Sequence, residues 1–235
     1  MPNRWNGSAA IRKKQIETGA DLTFNEVFRP LFIQKVSNAN PKNVLEVGAG
    51  TGHLSKDIFE LGLRVTAIEP STGMFKVAQE TLMETNVAVL NISSTELNDD
   101  DLFDFSFSHL VAHVVEDLHG FFQSIHDHLL HDGQFVFSIP HPCFYNDYKE
   151  FFDDEYSYMS LLSKEVSFAI TKEPSNIIGG VPYHHRPISF YFNTLIGNGF
   201  RIEAFDEIFP SREIQEKYGA MWSTPRYCTF TCRKI

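Results

Sequence analysis

The sequence predicts an α/β fold: a seven-stranded, mostly parallel sheet flanked by helices, with an insertion after the fifth strand. Three observations predict it. Between residues 43 and 140, short apolar runs of strand length alternate with segments whose apolar residues recur at helical spacing, and such alternation builds parallel sheets covered on both faces. Three glycines stand within five positions, in "GAGTG" at 48–52, directly after the first apolar run. The rhythm stops after Pro140 and resumes near residue 188.

Residues 1–40 read as a helical cap. The stretch from Ala9 to Thr18 is polar and charged, and Phe24, Val27, Phe28, Leu31 and Phe32 share a helical face. Pro30 should kink or interrupt that second helix. "NVLEV" (43–47) is a buried strand, and the next helix carries Leu54, Ile58 and Leu61 on one face. "RVTAIE" (64–69) is the second strand. A helix follows with Met74, Val77, Ala78 and Leu82 in register, opened by Pro70 and Ser71. Strands are expected at 86–91, 102–110 and 133–140, with a helical stripe of Leu118, Phe122, Ile125 and Leu129 before the last of these. The crossover from strand three to strand four is short enough that its helix shrinks to a turn. Residues 141–187 show no clear alternation, and "NIIGGVPYHHRP" (176–187) reads as loop. So long a stretch inside a compact domain is usually a lid or a binding element. A helix resumes at "ISFYFNTLIGNG", and 200–208 and 226–234 are the last two strands. The expected organisation is one domain over 1–235: cap (1–40), core (41–140), lid (141–187) and the end of the sheet (188–235).

Composition narrows the class. The chain of 235 residues has 43% apolar and 21% charged residues, ordinary for a folded protein. Its formal net charge is −10 without a Lys/Arg block, which disfavours nucleic acid or an anionic membrane as partner. No apolar run nears the ~20 residues of a membrane span, and the amino terminus lacks the apolar centre of a secretory signal. Three cysteines, Cys143, Cys228 and Cys232, form no framework. A cytoplasmic location is expected.

The glycine turn carries the chemistry. It links a strand to a helix, and bare backbone there lets a ligand touch the main chain. Nineteen residues after Gly50, at the end of strand two, stands Glu69, a carboxylate able to accept two hydrogen bonds from a ribose diol. Together they point to a bound nucleoside. The spacing is G-A-G-T-G rather than the dinucleotide G-x-G-x-x-G, with Glu46 two residues before the first glycine.

"LEVGAGTG" resembles motif I of the class I S-adenosylmethionine-dependent methyltransferases. "VTAIEPSTGMFKVAQE" resembles their second motif, "LFDFSFSHLVAHVVEDL" the fourth-strand segment, and "LLHDGQFVFSIPHP" the turn and fifth strand. The likeness covers about residues 40–140 and extends to the small-molecule, type 11-like branch of the family. It implies a Rossmann-like sheet with an antiparallel C-terminal strand and S-adenosyl-L-methionine as cofactor. By the resemblance Gly48, Ala49, Gly50, Thr51 and Gly52 pack against the methionine part and ribose, and Glu46 orients the amino-acid end. Glu69 and Pro70 meet the ribose, Ile92, Ser93 and Ser94 the adenine, and His109 borders the cofactor. Ser hydroxyls, or Glu96, stand where many members carry an acid for the adenine amine.

Ten histidines raise the question of a metal. His126, His128 and His131 read instead as a solvated helix end, and no metal is expected. His109 and His113 flank the end of strand four, His141 follows strand five, and His184 and His185 lie in the lid. "YHHRPISFYFNTLIGNGF" and His141-Pro142 resemble segments of small-molecule methyltransferases. As general base the expectation is His141, with His113 and His185 as reserves. The aromatics between Phe144 and Tyr158 should cover an aromatic or heterocyclic acceptor, with methyl transfer to its oxygen or nitrogen. The alternatives are a cofactor-binding protein without transferase activity and an NAD-type oxidoreductase. Base methylation of nucleic acid is disfavoured, because "SHLV" replaces the Pro-Pro-aromatic motif after strand four. Oligomeric state is open.

Overall fold

The computed structural model describes residues 4–170 and 177–235. Its main sheet contains β1 (Asn43–Val47), β2 (Arg64–Ile68), β3 (Ala88–Leu90), β4 (Phe103–His109) and β5 (Leu129–Pro140). After an inserted hairpin of β6 (Leu162–Ala169) and β7 (Ile177–His185), β8 (Phe200–Ile208) and β9 (Tyr227–Lys234) complete it. The order is β3-β2-β1-β4-β5-β9-β8. All pairings from β3 to β5 are parallel, and β9 runs antiparallel to both β5 and β8. Strand order reverses between β1 and β4. Their carboxyl ends therefore diverge into loops on opposite faces, the place where such sheets open a crevice.

Strand alternation explains the two-sided core. Leu45, Phe135 and Phe137 pack on one face with Phe122 and Ile125 of α5 (Leu118–Asp127) and Leu195 of α7 (Ile188–Gly197). Val44, Phe105, Phe107 and Val136 pack on the other with Phe32 and Val36 of α2 (Arg29–Ala39) and Leu54 and Ile58 of α3 (His53–Glu60). Asp104 accepts the N–H groups of Lys42 and Asn43, both at 2.8 Å, and so pins the start of β1.

The helical cap is two pieces. After α1 (Ala9–Glu17), a π-helical turn at Thr23–Phe28 runs into α2, where Pro30 lies in the first turn. The helical chain changes from π to α at Phe28–Arg29, just before Pro30, so the interruption expected at this proline takes the form of a change of helical type. The crossover into β4 is the expected turn, Ser94–Glu96, after α4 (Thr72–Leu82) and β3.

Three expectations need correction. First, "NIIGGVPYHHRP" is not loop: Ile177–His185 forms β7, paired antiparallel with β6. Gly179, Gly180 and Pro182 hide the strand pattern, but both strands of a two-stranded sheet are edges and tolerate Pro. Its buried side chains, Ile178, Val181, Tyr183 and His185, alternate with a shift opposite the irregularity at Val166/Phe168. The rest of the stretch holds α6 (Tyr145–Lys149) and a 3₁₀ turn at Asp153–Glu155. Residues 171–176 of the expected lid, and residues 1–3 of the cap, lie outside the described residues. Second, β5 begins at Leu129, because its first residue pairs with Phe103 of β4. Third, the histidines before it are not a solvated end. His128 is buried with Nδ1 2.7 Å from the Ser124 carbonyl, and the His126 ring meets Phe200 edge-on at 5.4 Å; His131 alone is well exposed.

Candidate functional site

The glycine turn is held from below. The N–H groups of Gly48 and Ala49 both donate to the Ile68 carbonyl, at 2.9 and 3.0 Å, fixing the end of β1 to the end of β2. The three glycines, all at positive φ, serve two different needs. A Cβ on Gly48 would strike Val111 at 2.4 Å, and one on Gly52 would crowd Ala78 of α4 at 3.2 Å. These two are demanded by protein packing. A Cβ on Gly50 would meet no heavy atom within 4 Å. Its bareness faces a cavity.

That cavity has a volume of about 910 Å³, the upper end of the range for drug-sized ligands. Its lining includes Gly48, Ala49, Gly50, Thr51, Glu46, Glu69, Pro70 and His109. Each carboxylate oxygen of Glu69 accepts one main-chain N–H, Oε2 from Gly50 at 2.8 Å and Oε1 from Ser71 at 2.7 Å. Each oxygen keeps a further lone pair for a ligand hydroxyl. Burial pushes the Glu69 pKa up, against the pull of these two bonds. Glu46 is buried deeper, takes a short hydrogen bond from the Ser55 hydroxyl, and burial pushes its pKa up to about 8.

The amino-terminal cap closes one side. The Asn6 side-chain oxygen accepts from the Ser71 hydroxyl at 2.8 Å and the Gly73 N–H at 3.0 Å. Trp5 packs against the cluster of Ala9, Met74 and Val77, and Trp5 and Phe24 both line the cavity. Arg12 lines it too, ion-paired with Asp21 at 2.9 Å.

Four residues expected at the cofactor do not line the cavity: Gly52, Ile92, Ser93 and Ser94. Gly52 is the N-cap residue of α3, and Ile92 packs on the core. Ser93 caps the 3₁₀ turn reciprocally with Glu96, and the Ser94 hydroxyl is taken by Ser124 at 2.7 Å.

The histidines divide. His109 lies on the cavity wall, its Nδ1 2.8 Å from the Ser138 hydroxyl and its ring 4.3 Å from that of Phe28. Burial pulls its pKa down to about 3. His113 also lines the cavity, and burial lowers it to about 3 as well. Its Nδ1 is buried with no hydrogen-bond partner among the described residues. His141, the expected base, is 2% exposed and does not line the cavity. Its Nε2 is 3.0 Å from Glu207 and its Nδ1 accepts the Cys143 N–H at 3.2 Å, so both ring nitrogens are engaged. The reason is strand alternation: Pro140 at the end of β5 faces the cavity, and the next residue faces the other way. His185 is likewise outside the lining, buried with Nε2 2.9 Å from the Tyr158 carbonyl.

Another part of the lining is aromatic, and mostly not foreseen. Tyr145 and Tyr148 come from α6, within the stretch expected as a cover. Phe152 and Tyr156 of that stretch pack instead against the hairpin, around Val166 and Tyr183. Trp222 and Arg226 come from the connection into β9, Tyr227 is the first residue of β9, and Tyr218 ends the helix before that connection. The only signal for them is the dense "YGAMWSTPRY" run ahead of the last strand. Arg186 acts at a distance from the lining. Its fork donates to the carbonyls of Val115 at 2.6 Å and Glu116 at 2.9 Å, tying the loop after β4 to the end of the hairpin.

Comparison with known proteins agrees with this geometry. Residues 45–137 match the family model described as "Methyltransferase domain". An uncharacterized methyltransferase of Oceanobacillus iheyensis is 30% identical over 127 residues, 51% of this chain and 58% of the relative. The matches span from 34% to 58% of the length of the first curated relatives. A crystal structure of an S-adenosylmethionine-dependent methyltransferase from Clostridium acetobutylicum superposes with TM-score 0.69 at 15% identity, covering 95% of this chain and 98% of that one. The Burkholderia thailandensis 1,6-didemethyltoxoflavin-N1-methyltransferase, crystallised with 1,6-didemethyltoxoflavin and S-adenosylhomocysteine, superposes with TM-score 0.60 at 18% identity, covering 97% and 88%. The domain match over residues 45–137, the sheet order and the glycine turn facing Glu69 all agree with the chain's resemblance to the class I S-adenosylmethionine-dependent methyltransferases.

Proposed function

We propose that the protein transfers a methyl group from S-adenosylmethionine to an oxygen or nitrogen of a small aromatic or heterocyclic acceptor. One observation carries the reading: a single cavity joins the bare backbone of Gly50 and the Glu69 carboxylate to a wall of Tyr145, Tyr148, Trp222 and Tyr227. The residues fit the cofactor. Glu69 would hold the ribose hydroxyls, the 48–51 backbone would lie against the methionine part, and Glu46 would face the ammonium. Bound there, the sulfonium supplies an activated methyl group. The chain itself contributes positioning, which supplies much of the rate in such transfers. The aromatic wall would hold a planar acceptor, the cap and the β6–β7 hairpin would exclude water, and His113, on the cavity wall with Nδ1 unpartnered among the described residues, would orient an acceptor O–H or N–H. With its pKa near 3, His113 is a hydrogen-bond acceptor that orients rather than a strong base. The 1,6-didemethyltoxoflavin bound in the Burkholderia neighbour supports a small-molecule acceptor, and the net charge of −10 supports a small molecule over nucleic acid. Among the described residues no helix is long and apolar enough to cross a membrane; with the sparse cysteines this supports a cytoplasmic setting.

The test is a screen of phenolic and heteroaromatic metabolites with methyl-labelled S-adenosylmethionine, read by mass spectrometry, alongside calorimetric titration with S-adenosylhomocysteine and NAD. Label on small molecules and affinity for S-adenosylhomocysteine alone are expected. Affinity for NAD instead, or label only on protein or RNA, refutes the proposal.

A further inference from the structure

We infer that the methyl acceptor carries a carboxylate, and that Arg226 binds it. The inference rests on the methyltransferase reading only for the word acceptor; the binding site stands on its own geometry. The Arg226 guanidinium lies 3.7 Å from the centre of the Tyr148 ring and 4.4 Å from that of Trp222. All three residues line the cavity. A guanidinium stacked on aromatic faces keeps its in-plane N–H donors free, and that edge matches the two oxygens of a carboxylate.

Among the described residues those donors are unclaimed. Among the described residues no carboxylate forms an ion pair with Arg226 and no side chain or carbonyl accepts from its guanidinium. Arg12, the other arginine of the cavity wall, is neutralised by Asp21 at 2.9 Å. Lys149 shares the Tyr148 ring, its amine 4.6 Å from the ring centre, and points its hydrogen bond at the Ala169 carbonyl. The result is a fixed, partly desolvated cation in the cavity of a chain whose net charge is −10. The guanidinium is half-buried, and a ligand that covered it would have to supply its counter-ion. A planar acid resolves this: its ring lies against the aromatic wall and its carboxylate meets the guanidinium edge. The single charge and two oxygens of a carboxylate fit one fork, and hydrogen bonds between two charged groups are among the stronger ones.

The test uses matched probes on the S-adenosylhomocysteine-saturated protein: benzoate against benzamide, indole-3-acetate against indole-3-acetamide, quinaldate against quinaldamide, and phenyl phosphate. Dissociation constants come from calorimetry or ligand-observed NMR. In at least one pair the acid should bind roughly tenfold tighter than the amide or more, the scale of a charge-assisted fork. Arg226→Gln should remove the preference while S-adenosylhomocysteine affinity is kept. Arg226→Lys, which keeps the charge and loses the fork, should lose most of it, and decides the matter if the Gln variant does not fold. Equal binding of acid and amide, binding of neither, a preference that survives both substitutions, or phenyl phosphate bound tightest of all would each overturn the carboxylate assignment. Failure of the wild-type protein to bind S-adenosylhomocysteine would overturn the methyltransferase reading instead, with the acid–amide comparison, then run on the free protein, still reporting on Arg226.

Discussion

Gly50→Ala isolates the role of the turn. Gly50 has φ +55° and an added Cβ would meet nothing within 4 Å, so the protein has room for the methyl group and the bound ligand does not. The variant should lose stability for one reason only, the left-handed backbone, which costs a non-glycine residue about 1–2 kcal/mol. For a chain of this length that lowers Tm by roughly 2–8 °C. Gly62→Ala is a matched control. Gly62 follows α3 with φ +84°, also has open space around its Cβ position, and lies away from the cavity. Both variants should melt lower by similar amounts. Only Gly50→Ala should weaken S-adenosylhomocysteine binding, by about 5- to 150-fold if overpacking one methyl costs about 1–3 kcal/mol. Gly50→Val, with two more carbons in the same space, should abolish it. Thermal melts and isothermal titration on the three variants provide the assay. Unchanged affinity in folded Gly50→Ala, or equal losses in both alanine variants, would refute the placement of the ligand against this backbone.

Glu69→Ala should weaken cofactor binding by about 1–3 kcal/mol, the range for hydrogen bonds to a charged acceptor, and leave acceptor affinity nearly unchanged; equal losses in titrations of both ligands would contradict the ribose assignment. Glu46, with its pKa pushed up to about 8, should release a proton when an ammonium binds beside it. Cofactor affinity should then rise as pH rises from 5.5 to 7, by up to roughly tenfold per unit, and Glu46→Gln should flatten the profile. The same raised pKa means that the folded state holds this proton longer than the unfolded chain, so its contribution to stability erodes between about pH 4.5 and 8; relative to wild type, Glu46→Gln should gain stability across that window in denaturant titrations. His113→Ala should lower kcat/KM for the acceptor by about 1–2 kcal/mol of lost hydrogen bonding with cofactor affinity kept. His141→Ala should act mainly on stability, since it removes a buried ring bonded to Glu207; a collapse of turnover with the fold and Tm preserved would restore His141 to the chemistry.

The sequence by itself determined what depends on neighbours along the chain. The strands at 43–47 and 200–208, the α4 stripe of Met74, Val77, Ala78 and Leu82, and the turn between β3 and β4 all follow from periodicity and capping within a dozen residues. Gly50 and Glu69 were legible too, because a strand–turn–helix and an acid at the next strand's end are local patterns joined by one parallel pairing, β1 to β2. Tertiary structure alone decided the rest. Side chains alternate along a strand, so shifting a strand end by one residue reverses which face a residue meets; Pro140 therefore faces the cavity and His141 meets Glu207. The hairpin of β6 and β7 exists through pairing between residues 8 to 23 apart, from Ala169–Ile177 to Leu162–His185, and the glycines and proline of β7 conceal it locally. Tyr148 and Arg226 stand far apart in sequence. They meet because β9 inserts antiparallel beside β5, bringing the connection that precedes it over the same cavity as the helix that follows β5.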